Sequence, residues 1–93
     1  MLMIIKSGPE TTEGRRGVKT ARDMAADIVL LQNAVYFAQR ERLGKGCGTV
    51  YVLDEDCRMR GIGEKDMEDG INQIGYDRLV DLLVDNKKVA GTF

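Results

Sequence analysis

Short apolar runs alternate along this chain with stretches of helical spacing. Leu2–Ile5 is four consecutive apolar residues, broken by Lys6-Ser7-Gly8-Pro9. Residues 28–31 and 49–53 form two further runs of strand length, the second rich in the strand formers Val50, Tyr51 and Val52. Ile71–Ile74 supplies a weaker fourth run, and residues 89–93 are expected to add an edge strand or a contact surface. Runs of this length without polar alternation predict strands buried on both faces, as in a parallel sheet.

The intervening stretches read as helices. Residues 10–17 are polar and carry Gly14 and Gly17, so they are expected to be a loop. A helix should follow from Val18, because Val18, Ala21, Met24 and Ala25 recur at helical spacing until Asp27 stops the pattern. Asn33 is a plausible N-cap for a helix over 33–42, with Ala34, Val35, Phe37 and Ala38 inward. Gly44, Gly46 and Gly48 then make a loop around Cys47. Asp54 is placed to cap a short helix that Gly61 ends, and residues 61–70 read as a loop or a single turn. Asp77 caps the clearest helix, in which Tyr76, Leu79, Val80, Leu83 and Val84 form the inner stripe. The order β-α-β-α-β-α-β-α predicts an α/β protein, a small doubly wound parallel sheet of four to five strands flanked by helices.

Composition narrows the function. Ninety-three residues make one domain, 1–93, with a single modest core. A net charge of −1 provides no field for holding nucleic acid. Histidine is absent, and Cys47 and Cys57 are the only cysteines, which leaves no CxxC motif, no four-ligand metal set and no Ser-His or Cys-His dyad. No cofactor or metal is expected. Residues 1–5 are too short for a signal peptide or membrane span, so a cytoplasmic protein with reduced thiols is expected.

In a sheet of this kind ligands meet the C-terminal ends of the strands. Residues 7–17, 32–33 and 54–57 occupy that edge. Gly8 and Gly14 have five residues between them and are followed by Arg15-Arg16, which matches neither a Walker A loop nor GxGxxG, so phosphate binding is not supported. Gln32 and Asn33 are candidates for orienting a substrate or lining a subunit contact; helix capping is the plainer reading. Cys57 is the candidate nucleophile, since the first turn of a helix lowers a thiol pKa. Asp54, Glu55 and Asp56 oppose that, Arg58 and Arg60 partly offset them, and a small buried residue beside Leu53 is the favoured reading. Cys47, between glycines, is expected to be exposed, with nothing to activate it.

Three stretches resemble the DsrH/TusB family of sulfur-relay proteins. Ile28-Val-Leu-Leu-Gln-Asn-Ala-Val35 resembles its strand-to-helix segment. The stretch from Val50 to Ile62, VYVLDEDCRMRGI, resembles its Val-Tyr strand, acidic turn and helix ending in Arg-Gly. Tyr76-Asp-Arg-Leu-Val-Asp-Leu-Leu resembles its final helix. The resemblance marks Gln32, Asn33, Asp54, Arg60 and Gly61 as family-motif positions and implies a DsrE-like fold. It also implies a subunit of a complex that passes persulfide sulfur to tRNA wobble uridines or serves intracellular sulfur oxidation. The implied partners are related DsrE/DsrF-type (TusC/TusD-type) subunits or a second copy, without direct nucleic-acid or membrane contact. In the DsrE/TusD relatives the sulfur-accepting cysteine sits where the third strand meets its helix, and matching the Arg-Gly ends puts that position at Leu53. The resemblance therefore implies a non-catalytic assembly subunit, with a persulfide carrier using Cys57 as the alternative. Limited helical cover should leave an apolar surface for association, for which Met59, Met67, Tyr36 and Phe93 are candidates.

Overall fold

The computed structural model describes residues 1–40, 42–43 and 48–91. Five parallel strands form one sheet: β1 (Leu2–Ile5), β2 (Asp27–Leu30), β3 (Val50–Leu53), β4 (Ile71–Ile74) and β5 (Val89–Gly91). Their spatial order is β4-β3-β2-β1-β5. The register aligns Ile5 with Leu30, Leu30 with Val52, and Leu53 with Ile74. The C-terminal ends of the first four strands thus share one edge. The apolar runs correctly marked all four, and the terminal segment does add an edge strand, paired with β1. Cys47 and Phe93 lie outside the described residues, as do Gly44 and Gly46.

Strand order decides how the faces are covered. The steps β1 to β2, β2 to β3 and β3 to β4 move one way across the sheet, so right-handed crossovers put their connections on one face. That face carries helix α1 (Thr12–Asp23), the 3₁₀ segment Gln32–Ala38 and helix α2 (Asp54–Met59). Its core holds Met3, Ile5, Ile28, Leu30, Val50 and Val52 against Val18, Val35, Phe37 and Cys57. The step from β4 back to β5 runs the opposite way, so α3 (Tyr76–Asp85) crosses the other face. There Leu2, Val29, Leu53 and Ile74 pack against Leu79 and Leu82.

Several local expectations are corrected. The first helix starts at Thr12, six residues before the expected Val18, because the Thr11 hydroxyl accepts the Gly14 amide at 3.0 Å and caps it. Gly14 and Gly17 are buried helical positions. Met24 and Ala25 fall in the turn beyond the helix and are exposed. Residues 32–38 bury Ala34, Val35, Phe37 and Ala38 as expected, but as a 3₁₀ segment whose N-cap position is Leu31. Asn33 is not the cap. Asp54 is likewise the first residue of α2, with Leu53 at the cap position. Gly61 does end that helix, at a φ of +69° that glycine adopts freely. Met67 is buried, since a bridge between Gln39 and Met67 lays residues 62–68 against the 3₁₀ segment. Tyr36 packs against the core, and Met59 is exposed as expected. On α3 the buried residues are Leu79 and Leu82, while Tyr76, Val80, Leu83 and Val84 face solvent. Among the described residues no helix is long and apolar enough to cross a membrane.

Candidate functional site at the strand edge

The strand-end edge is held together by one carboxylate and one guanidinium. Gln32 has a φ of +51°, a left-handed conformation that costs an L-residue roughly 1 kcal/mol. In that conformation its backbone N–H donates to Asp56 Oδ2 at 2.7 Å. Arg60 lies one helical turn after Asp56 and closes the other side: its Nε donates to Asn33 Oδ1 at 3.0 Å and a terminal nitrogen donates to the Asp56 carbonyl at 3.1 Å. The Arg60 and Asp56 side chains also approach to 3.8 Å while both are mostly covered. Three of the motif positions, Gln32, Asn33 and Arg60, therefore meet in one network. Asp56 is its hub and was missed by sequence reasoning, although its i, i+4 spacing to Arg60 was a readable signal. Asn33 is a receptor for Arg60 rather than a helix cap. Arg60→Ala should destabilise the protein by about 1–2 kcal/mol and Arg60→Lys by less, with Asn33→Ala non-additive to both in a urea-unfolding double-mutant cycle.

The glycine-bearing loop before α1 is self-satisfied. The Thr11 amide donates to the Gly8 carbonyl at 3.1 Å, the Thr11 hydroxyl donates to the same carbonyl at 2.8 Å, and Arg15 donates to the Pro9 carbonyl at 3.1 Å. The Gly14 amide is thereby spent on the Thr11 hydroxyl.

The chain leaves β3 towards one face and β4 towards the other, so the topological switch point lies between these neighbours. Leu53-Asp54-Glu55 borders it on one side and Ile74-Gly75-Tyr76 on the other. The second border was not anticipated, because it depends on strand order. Its mouth is acidic: the Tyr76 hydroxyl is raised in pKa by the charge of Glu55 first, then by burial and by Asp56. An anion or thiolate placed here would be repelled. Among the described residues no cluster of Cys, Asp and Glu is arranged to hold a metal ion.

Neither Leu53 nor Cys57 presents an exposed thiol. Leu53, the last residue of β3, is 3% exposed and packs under α3 beside Ile74. Cys57 is 1% exposed and belongs to the core on the opposite face. The two do not point together, despite their four-residue spacing, because the strand pleat turns Leu53 one way while α2 packs the other. Burial, reinforced by Asp54 and Asp56 and opposed by Arg60, pushes the Cys57 thiol up to about 11. At neutral pH it is a buried, protonated thiol.

Known proteins agree with this architecture. The model of the DsrH-like protein family matches residues 15–89. The solution structure of protein Tm0979 from Thermotoga maritima is similar over 98% of this chain and 100% of its own, at 28% identity and a TM-score of 0.68. The crystal structure of the ychN protein from E. coli shares the fold over 95% of each chain, at 17% identity and a TM-score of 0.69. No curated protein matches the chain in sequence.

Proposed function

Since this chain belongs to the DsrH-like family, we propose that it is a non-catalytic subunit of a sulfur-relay complex, acting by assembly while a related subunit carries the persulfide. The observation that carries this reading is the pair of positions just described. An aliphatic side chain closes the strand end at Leu53, and the cysteine one turn further on is sealed into the far core. A persulfide carrier must expose an ionisable thiol to two successive partners, and Cys57 does neither.

The partners this reading calls for are DsrE/DsrF-type subunits, in a cytoplasmic relay that ends in tRNA wobble-uridine 2-thiolation or in intracellular sulfur oxidation. The chain's near-zero net charge supports contact with protein rather than with the tRNA itself. The polar network of Gln32, Asn33, Asp56 and Arg60 rigidifies the edge such a subunit would meet.

The test is a relay reconstituted with a DsrE-type subunit bearing a strand-end cysteine. Cys57→Ala should leave complex formation and sulfur delivery unchanged, and mass spectrometry of the loaded relay should find the extra sulfur on the partner alone. A persulfide on Cys57 that chases to an acceptor protein would show instead that this chain is a carrier.

A further inference from the structure

The sheet leaves β4 with an open side. β4 pairs with β3 alone and stands at the end of the strand order. In a parallel ladder successive residues turn their backbone groups to opposite sides, so alternate residues bond a given neighbour. The Ile28 amide donates to the Thr49 carbonyl at 2.9 Å, which turns Thr49 towards β2 and, by alternation, Val50 and Val52 towards β4. With Val50 opposite Ile71 and Val52 opposite Gln73, it is Gly70, Asn72 and Ile74 that answer them across the ladder. The N–H and C=O groups of Ile71 and Gln73 therefore point outward, and they have no backbone partner among the described residues. Groups set out in this way are a template for one more strand.

The ground beside this edge says what would fill it. Ile71 and Gln73 share a side-chain face, the one that carries α2, and there they line a cavity of about 220 Å³ with Arg40, Glu64, Glu68 and Asp69. Sites for free ligands run to roughly 300–1,000 Å³, so this cavity suits a single side chain. Three carboxylates against one guanidinium make it acidic, and the side chain that fits is cationic. Arginine fits best, because its planar fork bonds a carboxylate through two N–H groups while its stem lies along apolar surface such as Ile71. A residue of an added strand that faces this side stands next to Ile71 or Gln73, and so over the cavity. We propose that the β4 edge is a docking site for an extended segment of another protein, which pairs with Ile71 and Gln73 as a sixth strand and seats an arginine among Glu64, Glu68 and Asp69. A second copy of this chain is a poor occupant, since pairing β4 with β4 sets one acidic cavity beside another. The site needs no persulfide, so it goes beyond the assembly reading and stands or falls separately from it.

Two capped octapeptides of alternating threonine and valine, one with a central arginine and the other with glutamate in its place, test it by NMR titration of the full chain. The arginine peptide should shift the amide signals of residues 70–74 and slow hydrogen exchange at Ile71 and Gln73. The glutamate peptide should bind at least about tenfold more weakly, the loss expected of one charge-assisted contact. Glu64→Lys with Asp69→Lys should invert that preference. Gln73→Pro removes an outward N–H and no ladder bond, so the circular dichroism of the fold should persist while the arginine peptide binds at least about tenfold more weakly. Should that variant unfold, the wild-type chain supplies the same check. Of two arginine peptides N-methylated on the two sets of alternate amides, the one methylated on the side that meets β4 should lose its affinity. Equal affinity for arginine and glutamate peptides would overturn the proposal, as would binding indifferent to both backbone changes. So would signal shifts confined to α3, or no binding at about 1 mM peptide.

Discussion

At pH 8, in a Cys47→Ser background, the native protein should react with a small thiol reagent at least about a hundredfold more slowly than the same chain unfolded in urea. Thiol reagents attack thiolate, and moving the pKa from an ordinary 9.0 to about 11 cuts the thiolate fraction at pH 8 by that factor. Burial adds steric protection, since Cys57 is 1% exposed. The same shift has a sign in stability. Below pH 9.0 both folded and unfolded chains hold the proton, and the thiol contributes no pH dependence. Between 9.0 and about 11 the unfolded chain releases it while the native chain retains it. The native state then binds more protons and stability falls as pH rises, by up to roughly 1 kcal/mol per pH unit from this group. Lysines and tyrosines titrate in the same range, so the measurement is the difference between this variant and one that also carries Cys57→Ala, in urea melts at pH 8 and pH 11. Native-state modification as fast as that of the unfolded chain would mean that α2 opens readily, and the non-catalytic reading would lose its footing.

The strands were legible because burial on both sheet faces leaves local traces: Leu2–Ile5 and residues 28–31 are apolar without interruption. The end of α2 was legible for a similar reason, because a left-handed Gly61 is a local requirement. What escaped was non-local. Asn33 looked like a cap because the residue that claims it, Arg60, is 27 positions away. The α3 stripe looked like an inner face because its apolar arc, from Leu82 and Leu79 round to Val84, spans more than half the helix. Periodicity cannot tell which part of so wide an arc meets the sheet. That is decided by the return crossover from β4 to β5, which leaves a single helix on its face. The Gly75-Tyr76 border of the switch point was hidden for the same reason, since no local pattern says that β3 and β4 send their chains to opposite faces. An uncovered apolar surface was expected on grounds of size, and the structure has one. It lies on α3 and not at Met67, which residues 62–68 carry inward.

Gly14 is the position where local pattern and tertiary packing disagree most sharply, and a single methyl group separates them. Read locally, Gly14 lies in a polar loop and should accept alanine, which favours helix by about 1 kcal/mol if helix forms at all. In the folded chain a Cβ at Gly14 would stand 2.2 Å from the Gly8 carbonyl oxygen, 2.5 Å from that of Ser7 and 2.9 Å from the Thr11 hydroxyl. The first two are backbone atoms and cannot swing aside, and the third is the cap of α1. Relief requires the helix start to separate from the turn at residues 7–8, at an overpacking cost of about 3 kcal/mol or more. The clash outweighs the gain in propensity, so Gly14→Ala should lose about 2 kcal/mol net and Gly14→Val more. A chain of this size has a total stability of only about 5–14 kcal/mol. The melting temperature should therefore fall by roughly 10 °C for alanine. Gly61→Ala, strained by its positive φ but unobstructed, should cost about 1 kcal/mol, and Gly75→Ala, with ordinary φ and nothing within 4 Å, close to none. That ranking, measured by thermal denaturation, separates close approach from conformational strain. If Gly14→Ala melts with the wild type, α1 does not begin at Thr12 against residues 7–8, and the glycines of residues 10–17 are the loop that their local pattern suggests.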